Sequence, residues 1–530
     1  MNRSAVLWSV GLGCAALSSC GGTVLLGDRS AEDAGAPISA GHAGSPSGGA
    51  GGSAGVGGTA GQSPIFMDGA VAGGGQAGTA GSGGVDASAP TGGAGGTASW
   101  QAAPNGAPPP GAAGAEAASI TVDALATTAA GEFLVGGTYV GGQCDLSCLS
   151  SYQISGGFLV GYSSSGASDI CSAATSQGAV DDINVDSAGD VVIAGWMGAD
   201  TVVGSTTLTC NGEDDVVVAK YSADGAVQWA EAFGYEGVQQ AHGVATDDSL
   251  NVYVAGEFEG TILSGSDVLI GVGSRSAFAL KLDAAGNWIW GRSWGSGWAV
   301  AEDVATLPSG GAAIAGMFDG PADLGGSSYV SQGGRDGFLL ALDADGQVSW
   351  SKTFGNAEQQ YVSNLASDAQ GHLAIVGRSS GALDLGGGAN DPGAEAVFVA
   401  VFDSEGSYLW SKQLPVGPDD PVIASIPSVV FNAAGDVIVA GGFQGQVDFG
   451  EGPLSSQGRT DVFVAAWSST GQPLWSRRYG DAGAQAARAL SYRQGAGLTL
   501  AGTFTGTLDF GAGSLQAGPS WPSMFLVRFP

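Results

Sequence analysis

The chain has 530 residues, with 49 Asp and Glu against 16 Lys and Arg, a formal net charge of −33, and 96 glycines. Nucleic-acid binding normally needs a basic footprint, so this balance argues against a nucleic-acid partner, and the folded part has little electrostatic attraction for an anionic membrane. Three histidines are too few for a His-rich metal centre.

Residues 1–19 read as a signal peptide. Arg3 precedes the apolar run "AVLWSVGLGCAAL", which ends in "LSSC" and is too short for a confident membrane span. Leu17, Ser18, Ser19 and Cys20 resemble the end of a bacterial lipoprotein signal. That resemblance implies cleavage before Cys20, lipidation of Cys20, and an exported protein held at the outer membrane or cell surface through its lipid. The alternative is an ordinary secretory peptide with a chance cysteine. Residues 20–96 are rich in Gly, Ala and Ser and carry too little apolar surface to offset backbone ordering, so a flexible tether is expected.

From residue 97 onward the sequence repeats. "YSADGAVQWAEAFG", "LDAAGNWIWGRSWG", "LDADGQVSWSKTFG", "FDSEGSYLWSKQLP" and "WSSTGQPLWSRRYG" place Trp229, Trp290, Trp350, Trp410 and Trp475 at spacings of 61, 60, 60 and 65 residues. A second motif, from "FLVGG" to "LTLAG", aligns Gly136, Gly195, Gly256, Gly316, Gly377, Gly441 and Gly502, giving seven copies. A third, from "FLVGYS" to "FLVRF", is apolar on both strand faces in several copies, which suits sheets covered on both sides. Each period reads as four short strands joined by tight Asp/Gly turns, so residues 97–530 are expected to form an all-β, seven-bladed propeller. The last period ends at "FLVRF" with no following tryptophan strand, while "TASWQAA" stands before the first. Residues 97–102 are therefore expected to close the ring against residues 525–529.

With "VYVAGEFEGTI", "IVAGGFQGQVDFG" and "LAGTFTGTLDFG" in view, residues 98–530 resemble the bacterial β-propeller repeat family of secreted and surface proteins. The resemblance implies the architecture and no particular reaction. The form "ALDADGQVSW" is also similar to repeats of quinoprotein-type propellers, but no quinone-site cluster accompanies it.

Four cysteines remain outside the signal: Cys144, Cys148, Cys171 and Cys210. In an exported chain they suggest disulfides, with Cys144–Cys148 and Cys171–Cys210 as the expected pairs out of three connectivities.

Thirteen residues before the aligned glycines stand Asp123, Asp182, Gly243, Asp303, Asn364, Ser428 and Ala489. They enter the strand nearest the axis and either ring a channel mouth or bond nearby backbone. No cofactor is implied firmly; calcium is the hard cation whose oxygen chemistry Asp123, Asp182 and Asp303 would suit. The varied connections "GYEGVQQAHG", "GSGWAVAED" and "GNAEQQYVSN" contribute Gln240, His242, Trp298, Gln360 and Tyr361 as candidate contact residues on a loop face. The functional expectation is a lipid-anchored extracytoplasmic scaffold that binds an extracellular protein or polymer. No catalytic motif is recognisable, which favours a non-enzyme; the alternative is a propeller hydrolase or polysaccharide lyase.

Overall fold

The computed structural model describes residues 100–102, 119–140, 155–162, 168–393, 395–415, 427–517 and 522–529. The chain divides into Met1–Ser88 and Ala89–Pro530, and all described residues belong to the second unit. The expectations for the signal, Cys20 and the tether lie outside the described residues, as do Cys144 and Cys148.

Seven four-stranded antiparallel sheets form a β-propeller. Their inner strands are Ser119–Thr127, Ala179–Val185, Gln239–Thr246, Trp298–Thr306, Gln360–Ser367, Ser428–Phe431 and Gln485–Arg493, which number blades 1 to 7. The strand order in blades 1 to 6 follows the chain. In blade 7 the fourth strand is Trp100–Ala102, antiparallel to Ser523–Phe529 with Trp100 opposite Arg528 and Ala102 opposite Leu526. Short two-stranded hairpins lie between the second and third strands of several blades, as in Thr201–Val203 with Thr206–Leu208 of blade 2.

Among the described residues, seven apolar clusters fill the seven blade-to-blade boundaries. The cluster joining blades 7 and 1 packs Phe133, Phe158 and Val160 with Met524 and Leu526, so the ring is closed by packing as well as by pairing. Third strands such as Asp215–Tyr221 are buried throughout because each has a neighbouring blade on both faces.

The recurrent Asp-x-x-Gly turn and Trp form one device. In the turn before Val348–Phe354, Asp343 Oδ1 accepts the amides of Asp345 and Gln347 at 3.0 and 2.8 Å, and Gly346 adopts φ +75°. Trp290 from the preceding blade lies on that turn and donates its indole N–H to Ala344 O at 3.1 Å. Trp350 repeats this on the next blade, reaching Ser404 O at 3.0 Å, and Trp229 and Trp410 do the same with Ala284 and Ser469. Many of the chain's acids therefore serve as turn acceptors.

The expected Cys171–Cys210 disulfide is not formed. Cys210 is a free thiol, and the described residues contain no disulfide. Cys171 lies in the outer strand of blade 1, opposite Val160. Cys210 has its amide fixed by Asp200 Oδ1 at 2.9 Å, and its Sγ faces the carbonyls of Met197 and Gly212 in its own blade. Sequence spacing carried no information about that direction.

Candidate functional site

The seven inner strands surround a cavity of about 520 Å³ lined by Asp123, Asp181, Asp182, His242, Glu302, Asp303, Ser363, Asn364, Ser428, Arg488 and their neighbours. Its chemistry is set by a β-bulge recurring in the inner strands. In blade 2, Val180 opposes Gly195 and Asp182 opposes Ala194, leaving Asp181 as the extra residue. His242, Glu302, Ser363 and Arg488 take the same place in blades 3, 4, 5 and 7. A bulge turns two consecutive side chains toward the axis instead of one. The glycine opposite is required sterically: a Cβ on Gly195, Gly256, Gly316, Gly377 or Gly502 would stand 2.0–2.1 Å from an inner-strand carbonyl.

Blade 1 resolves an ambiguity in the repeat. Gly137, not Gly136, opposes Val122 and faces the Thr121 carbonyl, as Gly195 faces that of Ala179. Asp123 therefore belongs with Asp181, His242, Glu302 and Arg488, one position away from Asp182 and Asp303. The adjacent glycines of "FLVGG" hid this shift.

Asp182, Asp303, Asn364 and Ser428 connect successive blades. Asp182 Oδ2 accepts Val244 N of blade 3 at 2.8 Å, and Asp303 Oδ2 accepts Leu365 N and Asn364 Nδ2 of blade 5 at 2.8 and 2.7 Å. Asn364 Oδ1 accepts Val429 N at 2.9 Å, and Ser428 Oγ accepts Leu490 N at 3.3 Å. Asp123 instead accepts the hydroxyls of Thr121 and Thr138. Among the described residues, no group of three or more His, Cys, Asp or Glu side chains is gathered tightly enough to hold a metal ion.

The bulge residues carry the strongest electrostatics. Burial pushes the Asp181 carboxyl up to about 7, against the pull of His242 and with the push of Asp123, Asp182 and Glu302. Burial also raises Asp182 to about 7, lifts Glu302, and holds Asp303 well above the usual carboxylate range. For His242, burial works downward, but Glu257, Glu302 and Asp181 outweigh it and carry the imidazole up to about 9. His242 Nε2 lies 3.8 Å from Glu257 Oε1, whose other partner is Arg275 at 2.8 Å. Asp181 Oδ2 and Arg488 Nε are buried and have no hydrogen-bond partner among the described residues.

The remaining sequence candidates lie where the inner strands begin. Gln240 Nε2 donates to Asp214 Oδ2 at 2.8 Å. Gln360 is fully buried and secures its own loop, donating to Asn356 Oδ1 at 2.7 Å; Gln239 and Gln485 bind equivalent loops. Trp298 and Tyr361, from neighbouring blades, meet at Arg335, whose guanidinium lies 4.2 Å from one ring centroid and 5.9 Å from the other. Sequence reasoning missed Asp181, Glu302, Arg335 and Arg488. The signal for three of them was the residue just before each aligned position; Arg335 had none, because it arrives from a different connection.

No family model matches the chain, and no curated protein matches it. Similar solved structures include the WD40 domain of Neurospora crassa Pan2, at 13% identity over 77% of this chain and 91% of that one, with TM-score 0.38. A streptogramin B lyase aligns at 9% identity over 78% and 98%, with TM-score 0.37. A PL25 ulvan lyase aligns at 11% identity over 78% and 96%, with TM-score 0.40. The fold defines the chain as an all-β, seven-bladed β-propeller.

Proposed function

We propose that the protein is an exported, lipid-anchored scaffold that binds an extracellular polymer or protein through the face where the inner strands begin. The observation that carries this reading is the Trp298–Arg335–Tyr361 group. Arg335 fixes two aromatic side chains contributed by neighbouring blades, so recognition would not have to order them. The sequence of residues 17–20 supports the anchor. The formal charge of −33 favours a neutral or basic partner over an acidic one.

The test is retention of the purified full chain on immobilised polysaccharides of three charge classes: dextran and xylan, chitosan, and alginate. Retention on a neutral or basic matrix that is lost in Trp298→Ala and Arg335→Ala supports the reading. Release of shortened fragments during the same incubation would replace it with the hydrolase or lyase alternative.

A further inference from the structure

We propose that the axial cavity is a separate binding site for a small organic cation carrying an ammonium group, received by the carboxylate of Asp181. The other acids lining the cavity are engaged or solvated, and Glu302 has no oxygen that is both buried and unpartnered among the described residues. Asp182 and Asp303 are committed to backbone amides of neighbouring blades. Asp123 is held by two threonine hydroxyls and has the Arg488 charge beside it. His242 is paired with Glu257. Asp181 is left with a buried Oδ2 that accepts nothing from the described residues, although it lines the cavity. A buried acceptor without a donor is costly, and a ligand N–H would satisfy it.

The charge of the surroundings selects the ligand's sign. Asp181 is faced by Asp123 from blade 1, Asp182 on its own strand, His242 from blade 3 and Glu302 from blade 4. At Asp181 three carboxylates stand against the single His242 imidazole, which favours a positive charge at that position, while the Arg488 guanidinium lies on the blade 1 side of the cavity beside Asp123. The volume selects its size: about 520 Å³ matches a multi-atom ligand and far exceeds a bare ion. A hard metal ion would also need several oxygens at about 2.3–2.6 Å, and no such group converges among the described residues.

Proton linkage follows. Burial leaves Asp181 titrating at about 7, so an entering ammonium must displace its proton at lower pH. Affinity therefore rises with pH across neutrality, and binding at about pH 6 releases protons to the buffer.

The experiment is titration calorimetry of the full chain with n-butylamine and putrescine, at about pH 6 and about pH 8 in two buffers of different ionisation heat. Sodium chloride, calcium chloride and sodium butyrate serve as controls. The expected result is saturable binding of at least one amine, tighter at the higher pH, with proton release at the lower one. Asp181→Asn, verified as folded by circular dichroism, weakens it about tenfold or more and abolishes the proton release. Asp509→Asn, at an exposed turn, leaves it unchanged. Butyrate or calcium binding in place of the amines, no saturable amine binding, or equal amine binding by Asp181→Asn would each overturn the proposal. Amine binding that survives Trp298→Ala separates this site from the polymer-binding face, so the two readings fail independently.

Discussion

Trp290 and Gly346 meet across the boundary between blades 3 and 4, where a Cβ on the glycine would stand 2.8 Å from the indole ring. The same glycine sits at φ +75°, so two constraints coincide on one residue. Gly346→Ala should therefore cost about 1–3 kcal/mol in chemical denaturation. Gly265→Ala is the comparison, since its φ is +60° but nothing lies within 4 Å of its Cβ position. Equal losses in the two variants would show that the indole contact adds nothing.

Asp303 joins blades 4 and 5 through its bonds to Leu365 N and Asn364 Nδ2, and it caps Val304 N at 2.7 Å. Truncation leaves these donors without an acceptor in a buried setting, and Asp303→Ala should lose about 3 kcal/mol. The equivalent position in blade 3 is already Gly243, which makes room for Asp303: a Cβ there would lie 2.9 Å from Asp303 Oδ1. Gly243→Ala should thus destabilise as well, and a neutral result in denaturant titrations of both variants would contradict the inter-blade role.

Stability should fall as pH rises from about 5 to about 9. Unfolded aspartate titrates near about 3.9 and histidine near about 6.5. Folded Asp181 and Asp182 hold their protons up to about 7, so the folded state binds more protons than the unfolded one and loses stability as pH rises toward 7. His242, raised to about 9, contributes stability that is complete below its unfolded value and lost as pH rises through 9. Glu257 is depressed and acts only in the acid range, below this window. Thermal midpoints across the range would show the decline; Asp181→Asn should flatten its lower half and His242→Asn its upper half. A midpoint that climbs between pH 5 and 8 would refute the assignment.

Cys210 should behave as a slow, free thiol. Burial and the nearby charges of Asp215, Asp214 and Asp200 raise its pKa, which keeps the thiolate scarce at neutral pH. Alkylation should be slow at pH 7 and accelerate with pH, while Cys210→Ser leaves the thermal midpoint nearly unchanged. Recovery of a Cys171–Cys210 peptide under non-reducing conditions would contradict the free thiol.

The architecture was legible because its spacing carries physics. Trp290, Trp350 and Trp410 recur with the turn glycines they rest on, and a short strand period cannot be mistaken for helix. The centre was half legible. Asp182, Asp303 and Asn364 emerged from the alignment, but a bulge adds a residue without changing the repeat length, so Asp181 and Glu302 stayed hidden beside them. Asp123 was misaligned by one because two glycines compete for one structural position. Trp298 and Tyr361 emerged from the varied connections, but Arg335 was beyond reach, since it comes from a different connection of blade 4 and meets them only in the folded chain.

The central claim, that the face built around Arg335 recognises an extracellular partner, is tested most directly by equilibrium binding of the full chain to the polysaccharide panel. Wild type, Trp298→Ala, Arg335→Ala and the distant Asp509→Asn are compared at one ionic strength. Wild type and Asp509→Asn should be retained on a neutral or basic polymer, with about a tenfold loss in each of the other two. Undiminished retention in both Trp298→Ala and Arg335→Ala would contradict it.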